Sequence, residues 1–150
     1  MDRYDFMKKA LECAKEAFEH NEIPVGCVIV KGNEIIATGR NYVEEIGVVT
    51  RHAEMVAIEE ATKVLGRSNL SGCEIYVTLE PCPMCAGAII NSKIDKVVFG
   101  AFDLNYGACG SVVQLFSMPN IHTPECFGGI MEDECSNILS EFFQKLRKKN

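Results

Sequence analysis

A chain of 150 residues with 47% apolar and 24% charged side chains has globular composition, which excludes a wholly disordered polymer and suits one domain, 1–150, with its own core. The longest apolar runs, 25–30 and 86–90, are too short to span a bilayer, and the charged opening 1–6 lacks a secretory hydrophobic segment, so a cytoplasmic protein without membrane contact is expected. A net charge of −6 excludes gripping nucleic acid by bulk electrostatics, although Lys145, Arg147, Lys148 and Lys149 form a local basic end.

In chain order, residues 4–19 read as an amphipathic helix with Phe6, Ala10, Cys13, Ala14, Ala17 and Phe18 on one stripe, stopped before Pro24. Residues 25–30 and 34–38 read as a hairpin around Lys31-Gly32-Asn33, and 39–49 as a loop. Thr50 is placed to cap a helix reaching about Leu65, with Ala53, Val56, Ala57, Ala61 and Val64 inward and Gly66 as its stop. Strand 74–79 leads into helix 82–91, whose first turn tolerates Pro81 and Pro83 because it does not need their missing N–H groups. A strand at 96–100, a Gly-rich loop at 107–110 and a weaker strand near 126–130 follow. The last helix has Cys135, Ile138, Leu139, Phe142 and Leu146 at core spacing. Five strands, alternating with helices after residue 52, imply an α/β chain: a mixed five-stranded sheet in a three-layer α/β/α sandwich.

Of the eight cysteines only Cys82 and Cys85 form a close pair. Most of the other six lie in apolar segments, where a free cysteine is a small hydrophobe. Cys82 and Cys85 share a helix face, and a helix N-terminus favours their thiolates. His52, at the start of the preceding helix, is the third candidate ligand. One imidazole and two thiolates suit zinc, with the fourth tetrahedral position open to water as in catalytic sites. Glu54 is too near His52 in sequence to be a fourth ligand, yet near enough to take a proton from that water and return it to a substrate nitrogen. Such equipment suits hydrolytic deamination of an amidine-like ring carbon.

Two other readings compete. Cys-x-x-Cys after a strand also opens thioredoxin-like redox sites, but this leaves His52 and Glu54 without a task. A closed structural zinc site would need His20 or His122, neither of which lies in a motif pointing at the pair.

His52-Ala53-Glu54 followed by Pro81-Cys82-Pro83-Met84-Cys85 is the zinc nucleobase-deaminase pattern. With Ile23-Pro24-Val25-Gly26, Gly107-Ala108-Cys109-Gly110-Ser111 and the tail from Met131 through Phe143, nearly the whole chain resembles the bacterial tRNA-specific adenosine deaminases. The resemblance implies a cytidine deaminase-like fold, one zinc per subunit on His52, Cys82 and Cys85, and Glu54 as proton shuttle. It implies conversion of the wobble adenosine of a tRNA anticodon loop to inosine by a homodimer. It further implies that Asn41 contacts the extruded nucleoside, that the Ala53 backbone reads the base edge, that Ile23, Pro24 and Val25 wall the pocket, and that Asp103 lies beside the substrate backbone. Asn105 and Ile121 depart from the family pattern in segments expected to approach RNA, where His122 and the basic tail are candidate contacts. The zinc motif alone also fits deaminases of free guanine, cytidine or deoxycytidylate.

Overall fold

The computed structural model describes residues 1–148. Asp2 caps the first helix, α1 (Arg3–Glu19), by accepting from the Tyr4 and Asp5 N–H groups while Asp5 returns to the Asp2 N–H. Its buried face includes Met7 and Leu11, while Cys13 and Phe18, expected inside, are only half-buried. Strands β1 (Gly26–Lys31) and β2 (Glu34–Arg40) meet at Gly32 and Asn33, with φ of 57° and 63°, the paired left-handed conformations of a tight hairpin.

Where a loop was expected, β2 continues to Arg40 and a short helix, α2 (Val43–Ile46), follows. No side chain within α2 caps it. Glu22, some twenty positions back, accepts from the Glu44 and Glu45 N–H groups at 3.0 and 2.7 Å instead. Thr50 does not cap the next helix, α3 (Ala53–Leu65); His52 is the cap residue, and the Ala53 N–H goes to Asn41 Oδ1 at 3.0 Å. Gly66, with φ of 67°, ends α3 as expected. Glu54 is buried on its inner side, whereas Val64 is exposed.

Strand β3 (Cys73–Leu79), helix α4 (Pro83–Asn91), strand β4 (Lys96–Ala101), strand β5 (Glu125–Phe127) and helix α5 (Glu132–Lys148) complete the order. Between β4 and β5 the chain has only a 3₁₀ turn, Leu115–Ser117, not a crossover helix. On α5, Cys135 and Phe142 are buried, while Leu146, expected in the core, is exposed.

The sheet order is β2-β1-β3-β4-β5, with β1 antiparallel to β2 and β3, and β3, β4 and β5 parallel. Strand alternation sorts the core into two layers. Val28, Val30, Tyr76 and Val98 pack on Phe6, Met7, Ala10 and Leu11 of α1 and Cys135 of α5. Cys27, Ile29, Ile75, Val77, Val97 and Phe99 pack on Ala53, Ala57 and Ala61 of α3 and Ala86 and Ile89 of α4. The α/β/α sandwich is therefore as the sequence implied. Small residues bring α3 unusually close: a Cβ at Gly39 would overlap the Ala53 carbonyl oxygen. No helix among the described residues is long and apolar enough to cross a membrane.

Candidate active site

Helices α3 and α4 start side by side, past the C-terminal end of β3. His52 is the residue before α3, Cys82 the residue before α4, and Cys85 lies in the first turn of α4. Neither cap residue spends its side chain on its helix. Both are thus free to serve something else.

His52 Nδ1 stands 3.7 Å from Cys82 Sγ and 3.6 Å from Cys85 Sγ. All three ligand atoms lie within 4.8 Å of one another. Zinc–nitrogen and zinc–sulfur bonds of ordinary length at a tetrahedral angle separate N and S by about 3.6 Å. The donor set and its two nitrogen–sulfur spacings therefore fit a zinc ion. Among the described residues this is the one such cluster of three or more metal-binding side chains. A hydrogen bond from Cys85, and then one from His52, lower the Cys82 thiol to about 4 against the effect of burial. Cys85, the donor of the first bond, is pushed up.

Glu54, 4% exposed, lines the same cavity as His52 and Cys82. Burial pushes its carboxyl up to about 7. His52, Glu54 and Cys82 face a cavity of about 530 Å³, within the range of small-molecule sites. One wall carries Ile23, Val25, Asn41 and Val43, the other Leu79, Asp103 and Tyr106.

Asn41 ties the first wall to α3: its Nδ2 donates to the Ile23 carbonyl at 2.9 Å and its Oδ1 accepts from Ala53. Arg40, nearly buried, braces the same wall through Glu45 at 2.7 Å and the Asn41 carbonyl at 2.9 Å, with its guanidinium 3.8 Å over the Tyr42 ring. The second wall is held by Glu80, a fully buried carboxylate with its partners in residues 103–111. Sequence reading missed Glu22, Arg40 and Glu80. The available signal was a charged residue adjoining an apolar strand or a motif, which does not distinguish a buried anchor from a solvated neighbour.

The profile of the cytidine and deoxycytidylate deaminase zinc-binding region matches residues 1–101. The tRNA-specific adenosine deaminase of Bacillus subtilis is 48% identical over 145 residues, covering 96% of this chain and 90% of that one. That of Aquifex aeolicus is 47% identical over 147 residues, covering 98% and 97%. The chain belongs to the tRNA-specific adenosine deaminase family.

A structure solved in a study of A-to-I editing by tRNA:A34 deaminases matches with a TM-score of 0.86 at 41% identity, covering 89% of this chain and 98% of that one. The fold is thus the cytidine deaminase-like one, and the chain is a hydrolytic, zinc-binding deaminase.

Within this family member, some sequence-nominated residues sit apart from the cavity or have other duties. The N–H of Ala53, whose backbone was expected to read a base edge, donates to Asn41 Oδ1. Ile23 and Val25 line the cavity, while Pro24 is buried behind them. Asp103 reaches the cavity wall but uses Oδ1 to accept from the Asn105 and Tyr106 N–H groups, both at 3.0 Å. His122 stands 3.8 Å from Asp95, just before β4 and at the opposite end of the sheet from the ligand cluster. His20 bonds the Glu16 carbonyl at the end of α1, away from the thiols. Lys145, Arg147 and Lys148 form the exposed last turn of α5, and Lys149 lies outside the described residues.

Proposed function

We propose that this chain converts adenosine to inosine at the wobble position of tRNA, with water adding at the ring carbon and ammonia leaving. The observation that carries this reading is the buried Glu54 carboxyl beside the His52–Cys82–Cys85 cluster, at the floor of a base-sized cavity. Held by those three side chains, zinc supplies Lewis acidity that makes a water nucleophilic near neutral pH. Glu54 would take the two protons of that water in turn, passing the first to the ring nitrogen and the second to the departing amine. Ile23, Pro24, Val25 and Asn41 form the wall against which the base rests, with the Ala53 backbone behind Asn41 and Asp103 on the facing wall. Burial of Glu54 keeps bulk water from competing for the same proton.

An anticodon-loop base is already poorly stacked, so extruding it into the cavity is cheap. Val49, Leu104 and Tyr106, 74%, 80% and 70% exposed, give the cavity region an apolar rim suited to cover by a second copy in a homodimer. Eight free cysteines and a thiol-rich ligand set fit a cytoplasmic setting. The test is incubation of the zinc-loaded protein with an unmodified tRNA bearing a wobble adenosine, and separately with adenosine, cytidine and guanine. Inosine in the tRNA alone is expected; ammonia from a free base or nucleoside, with the tRNA unchanged, would select the rival reading.

A chain of net charge −6 must hold RNA locally. Lys145 Nζ lies 5.3 Å from the Phe18 ring near the end of α1, whose exit at 22–25 becomes the cavity wall. Neutralising Lys145, Arg147, Lys148 and Lys149 should weaken RNA binding and flatten the log–log salt dependence by about 0.7 per lost phosphate contact. Zinc content and stability should hardly change, because exposed helix-end charges contribute little. Identical slopes for wild type and variant would assign these cations to the helix dipole alone.

A further inference from the structure

We infer that Glu80 is a positioning residue of the reaction: it fixes the cavity wall 103–111 against the ligand-bearing turn at Cys82, and so sets where the substrate sits. The inference rests on the deaminase reading above.

Glu80 follows β3 directly, and its own N–H bonds the Ala101 carbonyl at 2.9 Å, so its backbone is pinned between the ends of β3 and β4. Its side chain turns inward and is 2% exposed. Oε1 accepts from the Asp103 N–H at 3.1 Å and from the Ser111 hydroxyl. Oε2 accepts from the Cys109 and Ser111 N–H groups at 3.0 and 3.1 Å. All four donors come from one segment, and none is a lysine or arginine. The segment is wrapped around the carboxylate rather than leaning on it: a Cβ at Gly107 would overlap Oε2, so only glycine fits there. The Ala108 N–H also donates to the Pro81 carbonyl at 2.9 Å, tying the wall to the residue just before Cys82.

The physical balance explains why a carboxylate is used. A buried carboxylate is costly unless its lone pairs are matched, and here four donors match them. The donors in turn would be orphaned without it, and buried orphan N–H groups are costly too. Neither partner is stable alone, so the wall has one position. That wall carries Asp103 and Tyr106 into the cavity. Because its oxygens are all engaged within the protein, Glu80 is not a second proton shuttle.

Glu80→Gln keeps the shape but turns one acceptor into a donor facing N–H groups. In the zinc-loaded protein, hydrogen exchange at the Asp103, Cys109 and Ser111 amides should accelerate about tenfold or more, with β3 and α4 unchanged. Zinc content should stay at the wild-type level. KM for tRNA should rise about tenfold, with kcat changing much less, since the wall contacts substrate in ground and transition states alike. Gly107→Ala, whose Cβ would overlap both the Glu80 carboxylate and the Asp103 carbonyl oxygen, should loosen the same wall and be non-additive with Glu80→Gln. Ser111→Ala, which removes one donor only, should show a weaker version and serves if the others fail to fold. Unchanged exchange at these amides, loss of zinc, or a fall in kcat at constant KM would each overturn the inference. If the wild type deaminates no tRNA, the functional reading falls while the exchange experiment still decides whether Glu80 anchors the wall.

Discussion

Glu54→Ala should retain zinc and fold while losing turnover by about 10²–10⁴-fold or more, the usual contribution of a general acid–base group. The upper end is the better expectation, because one carboxyl serves the attacking water, the ring nitrogen and the leaving amine. The variant should be no less stable than wild type. Glu54 is 4% exposed and burial already drives its carboxyl up to about 7, so its removal relieves a desolvation cost. Metal analysis, thermal unfolding and single-turnover rates check the three statements separately. Release of zinc from Glu54→Ala would make Glu54 a ligand and refute the shuttle assignment. Glu54→Gln, matching the carboxyl in shape, should be as inactive as the alanine variant if proton transfer is what is lost.

Cys82→Ala and Cys85→Ala should each lose zinc and, with it, essentially all turnover. Two remaining ligands cannot hold the ion in the geometry that His52 Nδ1, 3.7 and 3.6 Å from the two sulfurs, otherwise completes. Metal binding is coupled to folding stability, so both variants should melt below the zinc-loaded wild type. They should melt close to wild type stripped by a chelator, because neither thiol belongs to the two core layers. A metal-free preparation with full activity would end the zinc hypothesis. Variants melting far below stripped wild type would show that the thiols serve packing more than metal.

Much of this architecture could be read from spacing. Strand alternation, the prolines at 81 and 83 and the stop at Gly66 depend on local backbone chemistry, and each fell where expected. The ligand set was legible because both halves of the motif open helices joined through a strand. What failed was governed by distant partners. Helix α2 was invisible because its capping acceptor, Glu22, comes from the other side of β1 and β2. Thr50 looked like a cap by residue type, yet Asn41 reaches the Ala53 N–H first. Val64 faces outward because Leu65, four positions after Ala61, takes the inward place and packs on the core, and Leu146 is exposed in the last turn of α5. Asn41 also holds the Ile23 carbonyl and the Ala53 N–H together, a bracing duty that its residue type alone does not signal.

The contact at Gly39 has a consequence for how such a site can change over generations. No side chain lies between β2 and the first turn of α3 there; peptide groups of strand and helix meet directly. Side-chain packing is forgiving, since volume-conserving swaps in a core shift neighbours only slightly. Contact between peptide groups has no such slack. The apolar layers under α3 can therefore drift in sequence without moving His52 relative to the thiols. A single methyl group at position 39 would instead push the helix start outward and detune metal affinity directly. Tolerance to substitution is thus distributed unevenly, wide in the bulk of the core and nearly nil at glycines such as Gly39, where strand and helix backbones touch.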